Sequence, residues 1–162
     1  MPKVALIMGS KSDWPSLRGC VDVLKKFEIE VEVHVASAHR TPETVAAFAA
    51  NARENGFEVI IAAAGKAAHL AGVIAGHTTL PVIGIPVKSS FMDGLDSLLS
   101  TVQMPTGIPV ATVAVGGGDN AAYLAAQMLS IKYPILAEKL LAHREQMAAA
   151  IEADDRQIPD EV

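Results

Sequence analysis

Short runs of apolar residues alternate along the chain with longer stretches in which apolar residues recur every three or four positions. The runs predict five strands, at residues 4–8, 30–36, 57–65, 80–87 and 107–118. The stretches predict helices, at residues 14–27, 41–56, 67–76, 94–103, 119–130 and 133–153. Strands and helices that alternate with short links are typical of an α/β fold, with a parallel sheet covered by helices on both faces. The 162 residues contain no linker rich in Pro, Gly or Ser, so we expect one domain over residues 1–153 and a flexible acidic tail over residues 154–162.

The strands differ in how much of their surface we expect to be covered. Residues 4–8, VALIM, are apolar throughout, which favours a strand buried on both faces. Residues 30–36, EVEVHVA, alternate between polar and apolar, which favours a half-exposed strand near an edge of the sheet. In sheets of this class ligands bind at the carboxyl ends of the strands. The residues that follow each strand are therefore the first candidates for a functional site.

Composition and charge limit the kinds of molecule that we expect the protein to bind. The chain is 51% hydrophobic and carries a formal net charge of −5, which gives no electrostatic reason to expect nucleic acid or an anionic membrane. Residues 67–87 lack Asp, Glu, Lys and Arg, but His, Pro and Gly interrupt them, so we expect a helix, a turn and a buried strand packed against other subunits. Cys20 is the only cysteine, and we expect a buried structural thiol. The N-terminal apolar run is too short for a signal peptide, which favours a cytoplasmic protein.

The segment GSKSD follows the first predicted strand. Gly9 allows a tight turn, and the hydroxyls of Ser10 and Ser12 then lie at the start of a helix, where negative charge is favoured. The segment is neither a P-loop nor a G-x-G-x-x-G fingerprint, so it favours a single phosphate over ATP or a dinucleotide. The alternative interpretation is that Ser12 or Asp13 only caps the helix.

The segment SAHRTP ends the second predicted strand and carries a more specific combination of side chains. Arg40 offers a planar, permanently charged fork suited to phosphate. His39 carries an imidazole, the one side chain that ordinarily gains and loses a proton near neutral pH. A single histidine at a strand end is more often structural than catalytic, but the neighbouring phosphate-type segment favours a catalytic role.

The third predicted strand runs into AGKAAHLAG. Gly65 and the alanines leave space for a ligand against the backbone, while Lys66 and His69 supply polar groups. His69 has a structural alternative, as a cap or hydrogen-bonding group within a buried helix. The spacing of the histidines matches no common zinc motif, so we expect no metal. The segment GGGDN at 116–120 is interpreted as a tight turn at the sheet edge rather than a second anion site.

Several motifs together resemble the N5-carboxyaminoimidazole ribonucleotide mutase family of purine biosynthesis. They cover roughly residues 3–150 in unbroken order: MGSKSD, SAHRTP, AGKAAHLAG, LPVIGIPV, DGLDSLLSTVQMPTGIPVATVAV and NAAYLAAQ. The resemblance implies a flavodoxin-like three-layer α/β/α fold and a symmetric homo-octamer that needs no cofactor or metal. The implied reaction is an isomerisation that moves a carboxylate from N5 to C4 of the substrate's imidazole through decarboxylation and recarboxylation.

The resemblance also implies roles for particular residues. Asp13, Ser10 and Arg40 correspond to the residues that hold the ribose phosphate, with Ser12 and Ser37 close by. His39 corresponds to the general acid and base of the family. His69, with Leu70 beside it, corresponds to the lining of the site for CO2 and the imidazole. The implied pathway partner is the ATP-dependent synthetase that makes the substrate.

Two features of the chain depart from the common family pattern. Lys66 stands where many members have glycine, and Ala71 stands where they have proline. A basic residue at position 66 resembles the related carboxylases that use free CO2, so an aminoimidazole ribonucleotide carboxylase is the alternative function. A phosphosugar- or nucleotide-binding module without catalysis is a further alternative. Finally, the last predicted helix carries an apolar side that predicts a subunit contact, formed by Leu136, Leu140, Leu141, Met147, Ala148 and Ile151.

Overall fold

A five-stranded parallel sheet forms the centre of the computed structural model, which describes residues 1–161. The strands are β1 (Lys3–Met8), β2 (Glu30–Val35), β3 (Val59–Gly65), β4 (Val82–Val87) and β5 (Ala111–Thr112). Their spatial order is β2-β1-β3-β4-β5, which is the flavodoxin-like order. Six helices connect and follow the strands: α1 (Trp14–Lys26), α2 (Pro42–Asn51), α3 (Leu70–His77), α4 (Leu95–Val102), α5 (Gly118–Ser130) and α6 (Pro134–Gln157). The predicted three-layer fold is confirmed.

The covering of the strands follows their sequence patterns. Five of the six residues of β1 are buried, because helices lie on both faces of this interior strand. Strand β2 lies at the edge of the sheet, and none of its residues is fully buried, as its alternating pattern predicted. One apolar core packs the sheet against α1, α5 and the start of α6, and a second core packs the other face against α2 and α3.

Cys20 lies in the first of these cores. Its side chain is fully buried on α1. Burial, together with the negative charge of nearby Asp119, raises the pKa of the thiol to about 12. The thiol therefore remains protonated and unreactive near neutral pH, and the prediction of a structural cysteine is confirmed.

The predicted fifth strand is much shorter than expected. Only Ala111 and Thr112 pair with β4 as a strand, whereas the apolar pattern predicted residues 107–118. Pro109 cannot donate a backbone hydrogen bond, and Gly116 has a left-handed φ of 70° that ends the extended conformation. Between them the chain still follows β4, because the Gly116 amide donates to the Pro86 carbonyl.

Helix α6 is longer than predicted. It continues to Gln157, beyond the predicted end at about residue 153, and a 3-10 turn over Ile158–Glu161 follows. Residues 135–158 contain neither Gly nor Pro, and the Arg156 side chain in the last turn complements the helix dipole. The flexibility of residues 154–162 stays a prediction, and Val162 lies outside the described residues.

Helix α6 also has a largely uncovered surface. Leu136 is its only buried residue, whereas Leu141, Met147 and Ile151 are each more than half exposed. Within residues 1–161 no helix is both long and apolar enough to cross a membrane.

Candidate active site

A cleft of about 650 Å³ lies at the carboxyl ends of the four longer strands. Met8 at the end of β1 pairs with Val35 of β2 on one side and with Ala63 of β3 on the other. This register brings the segments that follow three strands to one edge of the sheet. The order of the strands reverses between β1 and β3, which is the point where such sheets bind ligands. All eight predicted site residues line this cleft, namely Ser10, Ser12, Asp13, Ser37, His39, Arg40, His69 and Leu70.

The segment after β1 presents two hydroxyls and a carboxylate. The Ser10 hydroxyl accepts from the Ser12 amide at 3.3 Å and lies 2.9 Å from the Ser12 hydroxyl. Asp13 precedes α1, but its side chain makes no capping hydrogen bond. Burial raises the pKa of Asp13 above its ordinary value, although a backbone hydrogen bond from Ser10 opposes the shift. Asp13 therefore does not act as a simple helix cap, and it lines the cleft.

The segment after β2 fixes Arg40 against the first segment. The Arg40 guanidinium donates from Nη2 to the Gly9 carbonyl at 3.0 Å and from Nε to the Ser37 hydroxyl at 3.4 Å. The Thr41 hydroxyl bonds to the backbone of Ser37, as acceptor from its amide and donor to its carbonyl. These two bonds close the loop, and the Thr41 side chain makes no capping hydrogen bond to α2 although it precedes that helix. Two hydrogen bonds therefore orient the Arg40 guanidinium in the cleft that Ser10 and Ser12 also line.

Two histidines from different segments meet in the cleft. Nε2 of His39 lies 2.8 Å from Nδ1 of His69, and the rings are nearly perpendicular, at 89°. One of the two facing nitrogens donates and the other accepts, so the bond needs one protonated and one unprotonated nitrogen. The pair can therefore hold one proton in a defined place while the second nitrogen of each ring remains available.

The segment after β3 forms an apolar wall with a polar rim. Leu70 is 2% exposed and packs into the second core, so it contributes the base of the cleft rather than a polar contact. Ala64, Gly65 and Ala67 line the cleft above it, and Lys66 lies exposed at the rim. Lys66 has a left-handed φ of 55°, a conformation that glycine adopts without cost.

The sequence interpretation missed the segment after β4. Lys88, Ser89 and Ser90 also line the cleft. The Ser89 hydroxyl is buried and donates to both oxygens of the Asp96 carboxylate, at 2.9 and 3.1 Å, which ties this loop to α4. The rule that ligands bind where strands end could have found these residues, since KSS directly follows the fourth apolar run.

The glycine-rich turn at 116–120 does not reach the cleft, in agreement with its interpretation as a structural turn. Gly118 is buried, and a Cβ there would lie 3.4 Å from Cβ of Cys20, so the turn allows α5 to pack closely on α1. Among residues 1–161, no three His, Cys, Asp or Glu side chains are grouped so as to hold a metal ion.

Comparison with known proteins places the chain in a family. The family model described as AIR carboxylase matches residues 3–150. The chain is 58% identical to the N5-carboxyaminoimidazole ribonucleotide mutase of Saccharolobus solfataricus, over 91% of this chain and 93% of that protein. It is 51% identical to the mutase of Mycobacterium tuberculosis, over 97% of this chain and 90% of that protein. The crystal structure of Treponema denticola PurE matches with a TM-score of 0.87 and 30% identity, and the match covers 97% of this chain and 98% of that one. The resemblance drawn from the motifs is confirmed, and the chain belongs to the AIR carboxylase family.

Proposed function

We propose that this protein is an N5-carboxyaminoimidazole ribonucleotide mutase of purine biosynthesis. The observation that carries the proposal is the placement of the His39–His69 pair in the same cleft as the serine hydroxyls and Arg40. One end of the cleft suits a phosphate and the other suits proton transfer. Relatives that are 58% and 51% identical carry this name over nearly their whole length, which supports the same activity here.

The ribose phosphate binds between Ser10, Ser12 and Arg40. Within the described residues, Gly9 and Ser37 engage Nη2 and Nε of the guanidinium, so Nη1 is available for a phosphate oxygen. Since these same contacts fix the guanidinium before the substrate arrives, little side-chain entropy is lost on binding. Asp13, with its raised pKa, takes a hydroxyl of the ribose as a hydrogen-bond partner.

His39 moves one proton in each direction. The N5–carboxylate bond breaks, CO2 leaves, and the electron pair on N5 takes a proton from His39. The aminoimidazole that results has a nucleophilic C4, which attacks the carbon of the retained CO2. C4 then returns a proton to His39, so the imidazole ends as it began and the net change is an isomerisation. His69 holds the ring of His39 in place through the 2.8 Å hydrogen bond.

The cleft must also retain CO2 between the two steps. Ala64, Gly65, Ala67 and Leu70 offer an apolar wall next to the histidine pair. Such a wall excludes water without binding CO2 tightly, so the gas recombines at C4 before it escapes.

The decisive assay offers the purified protein two substrates separately. A mutase converts the N5-carboxylated ribonucleotide without added bicarbonate. A carboxylase instead turns over the uncarboxylated ribonucleotide with bicarbonate, and fast turnover in that case alone would overturn the proposal.

The variant His39→Asn tests the mechanism. We expect it to lose turnover by about 10²–10⁴-fold, because it lacks the group that transfers the proton, while it still binds the ribonucleotide. Full activity in this variant would refute the role of His39. Binding without turnover in the unaltered protein would indicate the non-catalytic binding module.

We further propose a homo-octamer that acts in the cytoplasm and receives its substrate from the ATP-dependent synthetase. The exposed apolar side chains Leu141, Met147 and Ile151 support a subunit contact through α6. Sedimentation should give a mass near eight times 17.0 kDa. A monomer would contradict this assembly.

A further inference from the structure

Lys66 has a backbone conformation that its residue type disfavours. It follows Gly65 at the end of β3 and has a φ of 55°, where the Cβ of any residue other than glycine is crowded. Its carbonyl accepts from the Ala68 amide at 2.9 Å, in the turn that leads to His69. A glycine would form the same turn without this cost, so the turn itself does not explain why a lysine occupies position 66.

The Lys66 ammonium is a cation at the cleft without an acidic partner in the described part of the chain. Among the described residues, no carboxylate lies within 4.0 Å of the Lys66 ammonium. Lys88, the other lysine that lines the cleft, instead forms an ion pair with Asp93 at 3.0 Å. Arg40 is held at the opposite side by Gly9 and Ser37. Lys66 is therefore the cation that is free to meet a second negative group of a ligand.

The position of Lys66 along the chain indicates which negative group of the ligand it binds. It lies next to the apolar wall and three residues before His69, at the end of the cleft where the heterocycle reacts. The phosphate is bound at the other end, beside the serine hydroxyls. We propose that Lys66 is a specificity-determining residue whose ammonium binds the carboxylate of the carboxylated aminoimidazole. This inference rests on the proposed function, since it assigns a contact to the same substrate.

Two ribonucleotides that differ only in this carboxylate provide the test. Dissociation constants of the C4-carboxylated product and of uncarboxylated aminoimidazole ribonucleotide are measured by calorimetry for the unaltered protein and for Lys66→Met. We expect the variant to bind the carboxylated ligand about 10-fold more weakly or worse, because a charge-assisted hydrogen bond is lost. Binding of the uncarboxylated ligand should change less than about 2-fold. Equal weakening of both ligands, or of neither, would overturn the inference.

Two further variants separate the charge from other effects. Lys26→Met removes an exposed lysine from the last turn of α1, outside the cleft, and should leave both dissociation constants unchanged. Lys66→Gly should weaken the carboxylated ligand as Lys66→Met does, but it should raise the thermal midpoint by about 2–4 °C, since the strained turn is relieved. A midpoint at or below that of the unaltered protein would contradict the argument from strain.

Turnover by the unaltered protein separates the role of Lys66 from the proposed activity. If the unaltered protein isomerises its substrate but Lys66→Met retains the affinity for the carboxylated ligand, only the role of Lys66 is wrong. If the unaltered protein shows no turnover and binds neither ribonucleotide, both proposals fall.

Discussion

Gly84 lies in the middle of β4, where α4 packs closely against the sheet. A Cβ built on Gly84 would lie 2.4 Å from Cγ2 of Thr101, 3.0 Å from Cγ1 of Val110 and 3.3 Å from Cβ of Ala71. Carbon atoms in contact prefer about 3.5–4.0 Å, so Gly84→Ala requires Thr101 to move by at least about 1 Å. Thr101 is 2% exposed and its hydroxyl donates to the Ser97 carbonyl at 2.7 Å, which leaves it little room to move.

We expect Gly84→Ala to lower the free energy of unfolding by about 1–3 kcal/mol, the usual range for overpacking a dense core. The measurement is urea unfolding at fixed protein concentration, followed by circular dichroism. Gly76→Ala is the matched control, because a Cβ there meets nothing within 4 Å and the residue lies in α3. That control should stabilise the protein by up to about 1 kcal/mol, since alanine favours a helix more than glycine does.

A second substitution tests whether Thr101 is the cause. Thr101→Ser deletes the methyl that clashes and retains the hydroxyl, so it should recover a large part of the loss in the Gly84→Ala background. If Gly84→Ala is as stable as the unaltered protein, or if Thr101→Ser merely adds its own loss, the packing argument is wrong.

Two further predictions concern pH. Burial raises the pKa of Asp13, so its ionised form opposes folding above the unfolded-state pKa, near 4. At pH 7, Asp13→Asn should therefore unfold at a higher temperature than the unaltered protein, and this difference should vanish below about pH 4. The affinity for the ligand should fall in the same variant. A less stable Asp13→Asn at pH 7 would refute this sign. Burial would raise the pKa of Glu58, but hydrogen bonds from Lys132 at 2.8 Å and Tyr133 at 2.7 Å outweigh it and lower the pKa. The stabilisation by ionised Glu58 is then present above the unfolded-state pKa, near 4.3, and is lost as pH falls through the folded-state pKa. Glu58→Gln should therefore be less stable than the unaltered protein at pH 7 and equally stable in acid. A stability difference between the two proteins that does not change with pH would contradict this prediction.

Most of the candidate site could be located from the sequence because its parts are local. GSKSD and SAHRTP each directly follow an apolar run, and parallel strands bring such segments to one edge of the sheet. Ser89 was missed although KSS directly follows the fourth apolar run, and its hydrogen bond to Asp96 on α4 is a tertiary contact that the sequence does not show. The apolar pattern of residues 107–118 overestimated β5, since hydrophobicity does not show that Pro109 lacks a backbone donor or that Gly116 leaves the extended conformation.

The sequence by itself determined the order of strands and helices, the buried centre and the half-exposed edge strand, since these depend on the spacing of apolar residues along the chain. Only the tertiary structure decided which distant side chains meet. His39 and His69 lie 30 residues apart in the sequence. They share a hydrogen bond because the strands that precede them, β2 and β3, lie on either side of β1 in the sheet. The backbone of Lys66 is likewise set by the turn that connects β3 to α3, against the preference of its residue type. The spacing of apolar residues shows which residues are buried. The three-dimensional contacts determine which backbone positions are strained and which side chains meet.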